Sequence, residues 1–174
     1  MSSLRELLSE DSEYSKFKQI VRTVRSSLDV ESILKEAAFL HSSRSSRTLH
    51  AQKLSPQKVQ TAILQELSNR ARLVELRSLL SRQYELIGTA LETIRKHIKV
   101  TYHEDLKEIA RTATERAQIV DRALSTPIQL KSELSGVFEI LDSYIKDIDS
   151  ASYALRNAVD LLKLILDRRG VESI

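Results

Sequence analysis

The residues in this chain that could do chemistry are few, and their spacing keeps them apart. The four histidines are His41, His50, His97 and His103. None stands three or four residues from another, and no H-E-x-x-H pattern occurs, so no two imidazoles share a helix face as metal ligands. His103-Glu104-Asp105 gathers three ligand types, but consecutive residues on a helix point in different directions. The absence of cysteine removes thiol nucleophiles, disulfides and cysteine-held metals. Three scattered glycines cannot build a phosphate-cradling loop. Asp142, Asp147 and Asp149 follow the surface rhythm of a helix and read as solubility charges, not as a buried acid/base pair. These patterns point away from an enzyme: no catalytic residue, no cofactor, no metal and no small-molecule substrate are expected.

Charge carries more information. Residues 37–65 contain no Asp or Glu, while Arg44, Arg47, Lys53 and Lys58 are positive. From 44 to 99 eleven Lys or Arg stand against four acids, and from 104 to 167 twelve acids stand against eight bases. A basic half joined to an acidic half fits a protein that assembles through one end and holds a polyanion with the other. On that reading Arg44, Arg47, Lys53, Lys58, Arg70, Arg72 and Arg77 are the candidate nucleic-acid contacts, made mainly to phosphates. The alternative is a helical hairpin whose halves attract each other, and Arg70, Arg72 and Arg77 do not fall on one narrow stripe. Tyr84 lies in an apolar seam and Tyr102 beside a bend, so base stacking is not indicated.

The elements that must position these residues are helices. With 3 Gly, 2 Pro, 5% aromatic residues and no Trp, the chain lacks the punctuation of sheets. Leu134, Phe138, Leu141, Ile145, Ile148, Ser152, Leu155, Val159, Leu162 and Leu166 recur at steps of four and three, a heptad seam. A second file, Val137, Tyr144, Ala151, Ala158 and Ile165, widens it to the face of a bundle helix. Thr126-Pro127 reads as its cap and Gly170 as its left-handed stop. Such a helix would be roughly 64 Å long and needs long partners. Ser55-Pro56 opens a second long helix, the serine reading as a cap more simply than as a phosphorylation site. Leu80, Tyr84, Ile87, Leu91, Ile94 and Ile98 carry its seam, with Gly88 a close-packing point inside it. A capping-box pattern at Thr101 and Glu104 marks a bend, a fresh helix start or a stutter. Upstream, Ser3 with Glu6 and then Asp29 cap short helices, and residues 42–48 read as a loop.

The expected architecture is therefore all-α: an elongated bundle of coiled-coil-like long helices with a short-helix N-terminal arm. Residues 1–54 form the arm, ending in a Ser/Arg-rich loop, and 55–174 the bundle, with helices about 55–100, 102–125 and 127–169. A homo-oligomer is expected, built on Leu134, Phe138, Leu141, Ile145, Ile148, Leu155, Val159, Leu162 and Leu166. The opening residues meet charge at once and no run is long enough to span a membrane, which predicts an intracellular protein with no membrane contact.

The run Ile148-Asp149-Ser150-Ala151-Ser152-Tyr153-Ala154-Leu155-Arg156-Asn157-Ala158-Val159-Asp160-Leu161-Leu162-Lys163 resembles the closing helix of the UvsY-type phage recombination mediators. In both, an aromatic, an aliphatic, a basic residue and Asn-Ala precede an aliphatic-Asp pair. Residues 76–102 are similar to that family's basic N-terminal helix. The resemblance implies a small helical accessory protein that binds single-stranded DNA, assembles as a ring and helps load a recombinase. Two functions are thus expected in competition: an oligomeric accessory factor for single-stranded DNA or RNA, and a structural or adaptor protein whose long helices dock a protein partner.

Overall fold

The computed structural model describes residues 4–44 and 55–171. Its elements are all helical: α1 (Leu4–Ser9), α2 (Ser12–Ser27), α3 (Val30–Ser42), α4 (Pro56–Thr101), α5 (His103–Ile109), α6 (Ala113–Ala123) and α7 (Ser125–Val171). The fold is an all-α bundle in which two long helices carry the shorter ones.

Side chains that satisfy orphan N–H groups set several of the helix starts. The Asp11 carboxylate accepts the Tyr14 N–H at 2.8 Å and opens α2. The Ser55 hydroxyl accepts the Lys58 N–H at 3.3 Å with Pro56 at the first helical position, as Ser55-Pro56 implied. The expected capping box is displaced. α4 runs through Thr101, Tyr102 opens α5 without a side-chain cap, and Glu104 bonds Lys107 and His103 instead. The box that forms is Thr112 with Glu115, each side chain bonded to the other's backbone N–H, at 3.1 and 3.0 Å. The connector expected as one helix over 102–125 is consequently two, interrupted where Ala110 turns extended at φ −142 and ψ 131.

At the other end, α7 begins at Ser125 and continues through Gly170 to Val171. Thr126 and Pro127 lie inside its first turn, where a missing N–H leaves no bond unmade. Ser3, which would complete a box with Glu6, lies outside the described residues.

Two compact units divide the chain, and neither respects the expected boundary at residue 54. One comprises Met1–Val30 with Leu79–Gly136, the other Glu31–Ser78 with Val137–Ile174. Short amphipathic helices are stable only when packed, and these pack into the two cores.

In the first unit Leu4, Leu8, Phe17 and Val24 bury against Ile87, Leu91, Ile94 and Ile98 of α4, and Leu106, Val120, Leu124 and Leu130 complete the cluster. Each large aliphatic buried this way contributes about 1.5–3 kcal/mol. In the second unit Val59 and Ala62 of α4 meet Leu155 of α7, flanked by Ile63, Val159 and Leu162. Here the long helices run antiparallel: Arg70 pairs with Asp149, and one heptad further along α4 Arg77 pairs with Asp142, one heptad back along α7.

The glycines inside the long helices differ in surroundings. A Cβ on Gly88 would meet Lys131 Nζ at 3.4 Å, the tip of a flexible chain that lies over the Tyr84 ring. A Cβ on Gly136 would meet nothing within 4 Å. Gly136→Ala is therefore expected to raise stability by roughly 0.5–1 kcal/mol in urea titration, through helix propensity alone; a loss of stability would mean that the position is crowded.

Candidate interaction surfaces

Of the sequence-predicted cations that lie within the described residues, Arg44, Arg70, Arg72 and Arg77 are held by acids of the same chain, and Lys58 is not. Arg44 follows α3 and is only 6% exposed, its Nε 3.1 Å from the carboxylate of Glu66, which is fully buried in α4. The same guanidinium donates to the backbone carbonyl of Asp147 in α7 at 3.0 Å. One residue group thus ties α3, α4 and α7 together. His41 extends the network, stacking on Tyr144 with ring centroids 4.1 Å apart and bonding Asp147 Oδ2 at 2.9 Å. Asn69 Nδ2 donates to the Leu40 carbonyl at 3.1 Å, satisfying the end of α3.

Arg70 and Arg77 grip Asp149 and Asp142, and Arg72 grips Glu36 of α3 as well as Glu75. The Arg72 guanidinium holds the Glu36 carboxyl below its usual range. These are half-exposed pairs, each modest in strength, whose importance is alignment. Lys58 is exposed in the first turn of α4, and Arg47 and Lys53 lie outside the described residues. Folding also levels the lengthwise asymmetry. The first unit carries fourteen Lys or Arg against thirteen acids and the second thirteen against eleven, because each combines a basic and an acidic stretch.

The expected oligomerisation seam is largely consumed inside the chain. Leu134, Leu141, Ile148 and Leu155 are buried, and Phe138, Ile145, Val159 and Leu162 half-buried. The side chain of Leu166 lies outside the described residues. Besides Ile140, the apolar surface left uncovered on the described part of α7 is a neighbouring face toward its end: Tyr153, Leu161, Leu164 and Ile165, with Leu161 61%, Leu164 59% and Ile165 49% exposed. Only its last part lies beyond α4: the antiparallel register sets Tyr153 level with Glu66 and Leu161 level with Lys58. The residue numbers add to the same total at Arg70–Asp149 and at Arg77–Asp142, and by that rule Pro56 is level with Lys163. From Leu164 onward α7 runs past the start of α4.

In the first unit the notable cluster is Asp11 with His97 and Tyr102. Asp11 is 7% exposed at its side chain, and its Oδ2 accepts from His97 Nε2 at 2.8 Å and from Tyr102 Oη at 2.7 Å. Burial by itself raises the Asp11 carboxyl, but the hydrogen bonds from His97, Tyr102 and the Tyr14 N–H together outweigh it and hold the group well below the carboxylate range. The same bond to Asp11 pushes the Tyr102 phenol up to about 12. A phenol kept protonated and a carboxylate with its lone pairs engaged form a clamp between the start of α2 and the end of α4, not a proton relay. The cap at Asp11 was legible as a polar break; its partners, 86 and 91 residues away, were not.

Beside the clamp a groove of about 290 Å³ lies between α2 and α4, floored by Phe17, Ile20, Ala90 and Ile94 and rimmed by Glu13 and Lys16. On another side of α2, Lys18, Arg22 and Arg25 border a cleft of about 280 Å³ with Thr126 and Pro127. Their steps of four and three make a stripe that lies outside the basic segment beginning at residue 44. They form no ion pair among the described residues; Lys18 lies over the Tyr14 ring at 4.7 Å. Among the described residues no group of three or more His, Asp or Glu is arranged to hold a metal ion, and no helix is long and apolar enough to cross a membrane.

Two outcomes test these clusters. Arg44→Met or Glu66→Met alone breaks the buried ion pair and is expected to cost about 3–5 kcal/mol in denaturant unfolding, whereas the double substitution is expected to cost clearly less than the sum of the two; losses that simply add in the double would contradict the pairing. For Asp11, alanine removes both cap and acceptor and should cost roughly 2 kcal/mol. Because its folded pKa is lowered, its contribution is complete above the ordinary value of 3.8 and is lost as pH falls below that. The stability gap between wild type and Asp11→Asn, followed by urea titration from neutral pH downward, should close in that window.

Compared with known proteins, the chain matches no family model, no curated protein and no solved structure.

Proposed function

We propose that this protein is a non-enzymatic adaptor or structural component that works by docking another helix on the exposed C-terminal face of α7. The observation that carries the reading is the cluster of Leu161, Leu164 and Ile165, three large aliphatics about half or more exposed on adjacent positions of one helix. Scattered apolar residues on a surface are ordinary, but neighbouring ones on a helix form a continuous strip, and a strip of that kind is the usual half of a helix-to-helix interface. The rest of the molecule supports a rigid mount for it: α7 is held by the Arg70–Asp149 and Arg77–Asp142 pairs and by Arg44 on the Asp147 carbonyl.

A second reading, an accessory factor that binds single-stranded nucleic acid, rests on Lys18, Arg22 and Arg25, a stripe whose spacing suits successive phosphates. The near balance of charge in each unit favours the docking reading over it, since phosphate binding at physiological salt needs several uncompensated cations acting together.

Purified under native conditions from its own source, the protein should migrate in an assembly larger than its 19.8 kDa mass. Leu164→Asp should release it as a monomer with unchanged helical circular dichroism. Migration of the wild type as a monomer under those conditions would remove the docking reading. Anisotropy of a labelled single-stranded oligonucleotide, titrated at low and physiological salt, separates the second: tight binding that falls steeply with salt and disappears on Lys18→Glu with Arg22→Glu would establish it.

A further inference from the structure

We infer that the helix docked on the C-terminal face of α7 is the same face of a second copy of this chain, laid antiparallel; this rests on the docking reading and names its partner. The argument is the order of charges beside the apolar strip. Arg156, Asp160, Lys163 and Asp167 are all exposed and follow one another at steps of four, three and four, so they run in one line along the edge of the face that bears Tyr153, Leu161 and Leu164. Within one chain the line is hardly satisfied: Lys163 and Asp160 approach only to 3.9 Å, with their side chains 66% and 74% exposed.

The line reads base, acid, base, acid, and this order is complementary to its own reverse. A two-fold axis crossing α7 between Leu161 and Leu162 brings each edge against the same edge of the other copy. Arg156 then lies opposite Asp167 of the second copy, and Asp160 opposite its Lys163; with the symmetric repeats this makes four pairs, all of opposite sign. Leu161 of each copy falls at the axis, with Leu164 on either side of it. In a parallel two-fold pair each edge faces the opposite edge of its partner, so this line could not meet itself; the antiparallel arrangement alone lets its charges pair with one another, while the leucines and Ile165 supply the buried surface.

The test is a charge exchange on the full chain, read by sedimentation velocity at tens of micromolar. The wild type is expected at twice the monomer mass. Arg156→Glu with Lys163→Glu makes the line wholly acidic, and Asp160→Lys with Asp167→Lys makes it wholly basic; each double variant alone is expected to be monomeric, and an equimolar mixture should recover the twofold mass as a heterodimer that weakens as salt is raised. All four positions are exposed, so circular dichroism should not change. A monomeric wild type, a double variant that remains dimeric, or a mixture that stays monomeric overturns the self-pairing. A monomeric recombinant wild type beside an intact assembly from the native source would discard the second copy while leaving the docking reading in place.

Discussion

A helix of 46 residues with an apolar stripe along its length cannot stand exposed in water, and the covering of α4 is the constraint that the other elements answer to. Leu73, Leu76, Leu80, Ile87, Leu91, Ile94 and Ile98 are all essentially removed from solvent. In one unit the cover comes from α1, α2, α5 and α6, whose own length would leave them unfolded without it. In the other it comes from α3 and the second half of α7. The short helices and the long one therefore stabilise each other, and the break at Ala110 is what lets α5 and α6 both take part.

Hydrophobic burial is indifferent to register, since a heptad seam slid by one heptad still buries leucine against leucine. The polar contacts remove that freedom in the second unit. Glu66 is fully buried in α4, and its carboxylate is met by the Arg44 guanidinium. That contact places the end of α3, and the Asp147 carbonyl that receives Arg44 places α7. The half-exposed Arg70–Asp149 and Arg77–Asp142 pairs then repeat the same alignment at low individual strength. Ser152, the polar member of the α7 seam, is buried with its hydroxyl unbonded among the described residues. Its value there is size, because it sits on α7 close to the level of Glu66 by the register of those pairs.

The Asp11 clamp performs the corresponding task in the first unit. A cap that also accepts from His97 and Tyr102 converts a local helix start into a long-range tie between α2 and the end of α4. Both clusters consume the residue types that a catalytic site would use, histidine, carboxylate and tyrosine, in holding helices together. Among the outward-facing features are the apolar surface at the end of α7 and the cations on α2, both suited to contact with another macromolecule.

By itself the sequence determined the helical class, the two long helices and the cap at Ser55-Pro56, because heptad spacing, scarce glycine and a hydroxyl before proline act through the backbone nearby. It also contained the charge order at Arg156, Asp160, Lys163 and Asp167, which needs only the period of a helix to be read. It could not place the capping box, since Thr101-x-x-Glu104 and Thr112-x-x-Glu115 are equal as local patterns and the choice between them depends on where α4 is still covered by the core. Nor could it tell whether Arg44, Arg70, Arg72 and Arg77 face a polyanion or their own chain. That was decided by tertiary structure, because the acids that meet them, Glu66, Asp149, Glu36 and Asp142, lie between 22 and 79 residues away and come within reach only when α3, α4 and α7 are packed.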